Sequence, residues 1–197
     1  MAGRPRRPRV SFAERREERA AIDDPAVVLE AAARFLEARS RSVAEVRRRL
    51  GRAGYRPELI DGAIVRMPEL GMLDDAAFGK AWVESRDRAR PRGEIALRRE
   101  LALKGVDRAT VDEVLDQRRD GGDADGPGVD VEAARRVIAR SARALERVAD
   151  PRARRQRAYA LLARNGFDSS VCATVSAEAI QDAAEETDET DGEPDMP

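Results

Sequence analysis

The sequence predicts an all-α fold, an elongated array of three tandem three-helix repeats with disordered tails, and three observations support this. Leu lies four residues before Gly at the end of three helical segments, which stop at Gly54, Gly105 and Gly166. Apolar residues recur one, six and nine positions after each Gly. No segment alternates apolar and polar residues with period two, so no strand is predicted. Recurrence at about fifty residues is typical of repeat proteins, whose units stack on their neighbours.

The glycines fit these stops because a helix commonly ends on a residue in the left-handed conformation, which costs Gly little. The apolar residue after each Gly then folds back onto the last turn. Three unrelated helix ends that share a Leu and a Gly are the alternative interpretation. The matching apolar positions favour the repeat; they are Tyr55, Val106 and Phe167, then Ile60, Val111 and Cys172, then Ala63, Val114 and Val175.

The composition limits the class of protein. Charged residues make up 38% of the chain and aromatic residues only 4%, which is typical of a helical protein. The absence of His and the single Cys exclude an intramolecular disulfide and a Cys/His zinc site, and no cofactor is expected. No apolar run reaches the roughly 20 residues that a membrane-spanning helix needs. Because the basic N-terminus lacks an apolar signal segment, we expect a cytoplasmic protein.

Charge is distributed unevenly, although the net charge is only −1. Residues 1–20 carry seven Arg and three Glu, whereas residues 177–197 carry nine Asp or Glu and no base. Single-sign segments of this kind are usually disordered. The sequence therefore predicts a flexible basic arm over residues 1–22 and an acidic disordered tail over residues 177–197.

The first repeat is expected over residues 23–73. Asp24-Pro25 provides an N-cap and a proline at the first helical position. Ser42-Val-Ala-Glu45 is a capping box, which opens the second helix. Pro57 begins the third helix, and Pro68 is expected to end it because proline disfavours helix at the residue before it.

The second repeat is expected over residues 74–119, and a flexible Gly- and Asp-rich linker over residues 120–129. The first helix of this repeat begins at Asp74-Asp75, and the segment Pro91-Arg92-Gly93 ends that helix. The residues expected to face inward are Phe78, Ala81, Trp82, Leu97, Leu101, Val111, Val114 and Leu115.

The third repeat is expected over residues 130–176. Its first helix has an apolar seam, and Asp150-Pro151 begins the next helix, which leads to the Gly166 stop. The seam comprises Ala134, Val137, Ile138, Ser141, Leu145 and Val148.

The sequence offers little for catalysis, since it has no phosphate-binding Gly loop and no His. Cys172 occupies the same repeat position as Ile60 and Val111, so we interpret it as a core residue. Adjacent Asp74 and Asp75 are most simply a helix cap; a partner contact and a metal site are the alternatives.

Arginine spacing is the informative feature. Arg136, Arg140, Arg143 and Arg147 step by four, three and four along one helix, on the side opposite its apolar seam. Arg41, Arg48 and Arg52 repeat this spacing in the first repeat. Such rows suit phosphate or carboxylate recognition through forked donors. The alternative is a solvated face with intrahelical pairs such as Glu132–Arg136.

Three segments resemble signatures of the RecX family of RecA regulators. GMLDDAAFGKAW over residues 71–82 and LRRELALKG over residues 97–105 are the closest in pattern, and SVAEVRRRL over residues 42–50 resembles a third. Gly79 stands where the family usually has Ala, at a modest cost in helix propensity. Lys104 belongs to the second segment, and we include it with Asp74, Asp75 and the arginines among the candidate partner-binding residues.

The resemblance implies three repeats of three helices that bind the RecA filament along its groove and inhibit its ATPase, strand-exchange and coprotease activities, without a cofactor. We expect the chain to be a monomer. The rival hypothesis is a single-stranded DNA-binding protein that uses the same arginine rows and competes for DNA. Few aromatic residues are available to stack on bases, which disfavours this rival. An enzymatic function is the third and least favoured hypothesis.

Overall fold

The computed structural model describes residues 11–122 and 126–190, with side chains described as far as residue 179. These residues form ten α-helices and no strand, which confirms the all-α prediction. The helices are α1 Phe12–Ala20, α2 Pro25–Leu36, α3 Val43–Ala53, α4 Pro57–Glu69, α5 Asp75–Ala89, α6 Glu94–Lys104, α7 Arg108–Asp120, α8 Val129–Glu146, α9 Pro151–Arg164 and α10 Ser169–Thr190.

The chain divides into two compact units. Unit 1 comprises Met1–Phe78 and Lys104–Val106, and unit 2 comprises Gly79–Leu103 and Asp107–Pro197. The sequence places domain boundaries between repeats, whereas this division falls within the second repeat. The start of α5 and the end of α6 belong to unit 1, where Asp75 and Lys104 contact the first turn of α3.

Polar side chains begin the helices as the sequence predicts. Asp24 accepts a hydrogen bond from the Ala26 amide at 2.9 Å, ahead of Pro25 at the first helical position. Ser42 and Glu45 form a reciprocal capping box, in which the Ser42 hydroxyl accepts from the Glu45 amide at 3.2 Å. Each of these bonds satisfies an amide that has no partner within its own helix.

The N-terminal arm differs from its prediction. Residues 12–20 form α1, which a second capping box opens: the Ser11 hydroxyl accepts from the Glu14 amide at 3.1 Å, and the Glu14 carboxylate accepts from the Ser11 amide at 2.6 Å. This Ser-x-x-Glu signal is present in the sequence, within a segment whose single-sign charge is otherwise typical of disorder. Residues 1–10 lie outside the described part of the chain.

The end of α4 also differs from its prediction. Pro68 lies inside the helix, which continues to Glu69. The residue before Pro68 stays helical, and the chain turns only at Gly71, which has a φ of +67°. There the Met72 amide donates to the Met67 carbonyl at 3.0 Å, a bond typical of helix ends that close on a left-handed residue. The helix therefore ends at a fourth glycine stop that the repeat pattern did not include.

The core of unit 1 is built from the inward faces of α2, α3 and α4 together with Leu73. Val28 and Ala32 of α2, Val46 of α3 and Met67 of α4 are each 0% exposed. The remaining members of this cluster are Leu50, Ile60, Ala63, Ile64 and Leu73.

In unit 2, the last three helices bury a second cluster, which comprises Ala133, Ala134, Val137, Leu162, Phe167, Cys172 and Val175. Leu97 and Leu101 of α6 are also fully buried, as predicted. On α5, Phe78 is buried as predicted, Val83 is buried as well, and Ala81 is exposed, contrary to its prediction. Gly79 packs against Val114, and a Cβ there would lie 3.2 Å from a Val114 methyl, so α5 approaches α7 closely at this position.

The three predicted glycine stops have left-handed backbones, with φ of +102° at Gly54, +83° at Gly105 and +79° at Gly166. Each also lies against another helix. A Cβ added at Gly105 would overlap Ala44 of α3, and one added at Gly166 would overlap Ala96 of α6. Glycine is therefore required at these positions for two reasons: the backbone is left-handed, and a side chain would overlap the neighbouring helix.

Helix α10 continues to Thr190, beyond the expected end of the third repeat at residue 176. Ala and Glu favour helix in this stretch. Within the described ranges, no helix is both long enough and apolar enough to cross a membrane.

Candidate functional site

The predicted arginine row lies on α8 in unit 2. Arg136, Arg140, Arg143 and Arg147 are all exposed, while the opposite face of α8 buries Ala133, Ala134, Val137 and Leu145. The structure thus gives these arginines the solvent-facing side that their spacing predicts. Arg147 follows the last helical residue as the C-cap.

Arg140 differs from the other members of the row because it is bound within unit 2. Its guanidinium donates to the Ala89 carbonyl at 2.8 Å and to the Arg88 carbonyl at 3.3 Å. These carbonyls belong to the last turn of α5, where carbonyl groups have no hydrogen-bond donor within the helix. A cation at a helix C-terminus also interacts favourably with the helix dipole. Arg140 therefore caps α5.

Arg136, Arg143 and Arg147 make no ion pair with any side chain that the structure describes. The alternative of a Glu132–Arg136 pair is not realised among those side chains. The neighbouring Arg135 instead forms a two-pronged pair with Glu178 of α10, with both N–O distances 2.9 Å. The row thus leaves three exposed guanidinium groups.

The second predicted row, in unit 1, is interrupted. Arg41 precedes α3, and its guanidinium lies 4.5 Å from the centre of the Phe35 ring, a cation–π contact. Arg48 is exposed and donates to the Lys104 carbonyl at 3.4 Å. Only Arg52 is exposed without an ion pair to a described side chain.

The two adjacent aspartates hold backbone amides. Asp74 caps α5 through one carboxylate oxygen, which accepts from the Ala76 and Ala77 amides at 2.8 and 2.9 Å. Asp75 accepts from the Val43 amide of α3 at 2.9 Å. The structure thus gives both residues the capping role, Asp74 for its own helix and Asp75 for another.

Lys104 contacts the first turn of α3 through both its backbone and its side chain. Its carbonyl accepts from the Ser42 hydroxyl at 2.6 Å, and its ammonium lies 3.1 Å from a Glu45 oxygen. Burial raises the pKa of Glu45, but the hydrogen bond and charge of Lys104 outweigh burial, so the pKa lies below its ordinary value. Lys104 and Asp75 together hold α3 at its N-terminus, in what we term the α3 junction.

Unit 2 contains the same arrangement at the start of α6. The Gly93 and Ile95 amides donate to the carbonyls of Asn165 and Gly166 at 3.1 and 3.2 Å. The Glu94 amide donates to Asp130 of α8 at 3.0 Å, as the Val43 amide does to Asp75. In each unit, the first turn of one helix therefore contacts the C-terminal end of a helix and a carboxylate that both belong to the following repeat. We term the site at the start of α6 the α6 junction.

Asp130 also pairs with Arg118, a buried arginine that the sequence analysis missed. The Arg118 side chain is 6% exposed and lies 2.6 Å from Asp130 and 2.9 Å from Asp87. Burial lowers the pKa of Arg118, but the two carboxylates raise it above the ordinary value. Nothing in the local sequence marks Arg118, since its neighbour Arg119 is equally charged and lies at the surface.

The lone cysteine is a core residue. Cys172 is 0% exposed, and its Sγ lies 3.5 Å from the Phe167 carbonyl. Burial raises the pKa of the thiol, so it stays protonated near neutral pH. This confirms the structural interpretation of Cys172.

Family models match two regions of the chain. The model of the RecX first three-helix domain matches residues 29–67, and that of the RecX second three-helix domain matches residues 74–115.

Curated relatives carry the name regulatory protein RecX. The Deinococcus radiodurans protein is 35% identical over 168 residues, 85% of this chain and 71% of that protein. The Mycobacterium avium protein is 33% identical over 150 residues, 74% of this chain and 80% of that protein. The Streptomyces coelicolor protein is 34% identical over 131 residues, and the match spans 65% of its length, less than two thirds.

A solved structure has the same fold. The crystal structure of RecX from Lactobacillus salivarius matches with a TM-score of 0.69 at 19% identity, covering 80% of this chain and 97% of that chain. At this identity the likeness concerns the fold alone.

Proposed function

Given that the chain belongs to the RecX family, we propose that it is a regulatory protein that binds the RecA recombinase filament and inhibits its ATPase, strand-exchange and coprotease activities. The role is regulatory rather than enzymatic, acts in DNA repair and recombination in the cytoplasm, and requires no cofactor. Binding one state of the filament preferentially is sufficient to shift its assembly or its ATPase.

The match of both RecX three-helix domains, at residues 29–67 and 74–115, is the observation that carries this proposal. The arrangement of α8 supports it. Arg136, Arg143 and Arg147 present exposed guanidinium groups along one helix face, which suits a surface of carboxylates or phosphates. We assign the filament contact to these three residues, with Arg48 and Arg52 contributing from unit 1.

The other candidates act indirectly in this proposal. Arg140 caps α5, Asp74 caps the start of that helix, and Asp75 and Lys104 hold the α3 junction. Each keeps in place a helix that carries or supports an exposed arginine. Their replacement should therefore change stability together with binding.

The test is a titration of the chain into RecA filaments on single-stranded DNA while ATP hydrolysis is followed. Replacing Arg136, Arg143 and Arg147 by Gln should raise the concentration for half-maximal inhibition about tenfold, since each exposed ion pair contributes up to about 1 kcal/mol. A matched triple variant replaces Arg34, Arg47 and Arg66, which pair with Glu30, Asp61 and Glu69. It should inhibit as the native chain does. Equal inhibition by both variants would contradict the role of the α8 row.

Free single-stranded DNA, added as competitor, separates filament binding from competition for DNA. If the filament is the target, a modest excess of free strand should leave inhibition unchanged. Inhibition that falls in proportion to the added strand would support the rival hypothesis instead.

A further inference from the structure

A groove of about 360 Å³ lies between α9 and α10 in unit 2. Arg152, Arg155 and Tyr159 of α9 line one side of it, and the buried Ser176 of α10 lies at its base. Gln156 is the remaining described residue that lines it, so no Asp or Glu is among the described lining residues. None of these residues belongs to the proposed filament contact.

Positive charge on α9 is not balanced within the described part of the chain. The helix contains five arginines and no Asp or Glu. Arg152 and Arg155 are exposed and make no ion pair with a described side chain. Arginines elsewhere in unit 2 are paired with carboxylates; examples are Arg86–Glu100, Arg98–Glu94 and Arg135–Glu178. The groove therefore has the charge of a site for an anionic group.

Helix α10 brings the acidic end of the chain past this groove. Residues 165–168 connect α9 to α10, and Ser176 lies beside the first half of α9, so α10 runs back along α9. From Ser176 to Thr190, α10 advances about 21 Å, which carries its end beyond the first residue of α9. Residues 182–195 carry eight Asp or Glu and no base. The opposite charges thus lie on consecutive elements of one unit.

Residues 191–197, which lie outside the described part of the chain, are long enough to return to the groove. Seven extended residues span about 23 Å, close to the length of α10 beyond Ser176. Asp191-Gly192 is a dipeptide typical of turns. Glu193 and Asp195 are two positions apart, so both carboxylates face the same side of an extended segment. Pro194 favours extended backbone at the residue before it.

We propose that the groove between α9 and α10 binds residues 191–197 of the same chain, with Glu193 and Asp195 paired to Arg152 and Arg155. Exposed ion pairs of this kind are individually weak, but tethering provides a local concentration in the millimolar range. The contact is therefore reversible and sensitive to salt. In the free chain it neutralises the groove and closes it to other anions. This inference goes beyond the proposed regulation of RecA, because it concerns the chain alone and a different surface.

The test places a nitroxide label on the acidic segment of the whole chain and follows the amide signals of α9 by NMR. Met196→Cys provides the attachment site, since the native Cys172 is 0% exposed. At about 0.05 M salt, the amides of residues 152–159 should lose about half or more of their intensity relative to the reduced label. The loss should largely disappear at about 0.5 M salt, where screening is short-ranged.

A matched pair of variants assigns the contact to the groove. Replacing Arg152 and Arg155 by Gln should remove the signal loss. The Arg157→Gln, Arg164→Gln double variant makes the same change in charge on α9, at exposed arginines that do not line the groove, and should keep the loss. Equal losses in the two variants, or no loss in the native chain, would overturn the proposal. Circular dichroism of each variant confirms that its helices are intact.

Two further measurements separate this occupant from the others. An isotopically labelled chain without nitroxide, mixed with an unlabelled chain that carries it, should show no signal loss; a loss there would assign the groove to a second copy and overturn the proposal. Anisotropy of the labelled single-stranded oligonucleotide dT20 tests nucleic acid. Replacing Arg152 and Arg155 should weaken dT20 binding more in a chain that ends at Thr190 than in the full chain, because only there is the groove open. An equal effect in both chains would contradict occupation by the segment. RecA is absent throughout, so these results do not depend on the filament being the regulatory target.

Discussion

At the scale of single residues, glycine decides where the repeats meet. Gly105 has a φ of +83°, and a Cβ there would overlap Ala44. Gly62, by contrast, lies in the middle of α4 with no atom within 4 Å of an added Cβ. The two glycines therefore respond to the same substitution in opposite directions.

Gly105→Ala should destabilise the protein by about 2 kcal/mol or more, from the left-handed backbone and the overlap with Ala44. Gly62→Ala should stabilise it by about 0.5–1 kcal/mol, because Ala favours helix interiors. Urea unfolding followed by circular dichroism measures both. A Gly105→Ala chain with an unchanged midpoint would contradict the assignment of Gly105 as a junction residue.

Residue-scale prediction from sequence succeeded where the signal is local. The Leu and Gly spacing located the left-handed residues, and the capping box at Ser42 located the start of α3. It failed for Arg140 because the acceptors, the carbonyls of Arg88 and Ala89, lie on a different helix. Spacing along one helix cannot distinguish an arginine that caps a neighbour from one that faces solvent.

At the scale of elements, the α3 and α6 junctions fix the beginnings of helices with groups from the next repeat. Their sequence signal is dispersed, since Ser42, Asp75 and Lys104 are far apart in the chain. The sequence marks Asp75 and Lys104 as candidate residues. Because their partners on α3 are distant in the chain, it does not predict their contacts with that helix.

The α3 junction should make stability depend on pH. The pKa of Glu45 is lowered on folding, so its contribution is fully present above the ordinary value of about 4.5 and is lost as pH falls through the lower, folded value. Lys104→Met should therefore destabilise the protein most at pH 7 and progressively less below about pH 4.5. Urea unfolding at pH 7, 4 and 3 measures this. A difference that stays constant with pH would show that the Lys104 stem, rather than its charge, stabilises the junction.

The buried Arg118 should matter more than its neighbour. Arg118→Ala leaves Asp87 and Asp130 without their cation, which should cost about 3 kcal/mol. Arg119→Ala removes exposed pairs with Glu94 and Asp116 and should cost less than about 1 kcal/mol. Thermal unfolding of the two variants provides the comparison. Equal losses of stability in the two variants would mean that burial does not strengthen the ion pairs of Arg118.

At the scale of the whole molecule, charge is segregated along the chain. Residues 180–197 carry eight carboxylates and no base, so their deletion changes the net charge from −1 to +7. Deletion should raise the affinity for dT20 severalfold at about 0.05 M salt and have little effect at 0.5 M, where screening is short-ranged. A full-length chain with these carboxylates replaced by amides should behave in the same way. If only the deletion raises affinity, the effect is steric rather than electrostatic.

Helix α1 has one further consequence, through its contact with Gly54. A Cβ added at Gly54 would overlap Arg16 of α1, just as Gly105 meets Ala44 and Gly166 meets Ala96. In repeat proteins, a terminal unit with a polar outer face keeps the open end of the array from binding another copy. Removing α1 would expose a surface that is built to receive a helix, and a head-to-tail contact of this kind does not close on itself. We therefore expect a chain that lacks α1 to self-associate at concentrations at which the full chain does not.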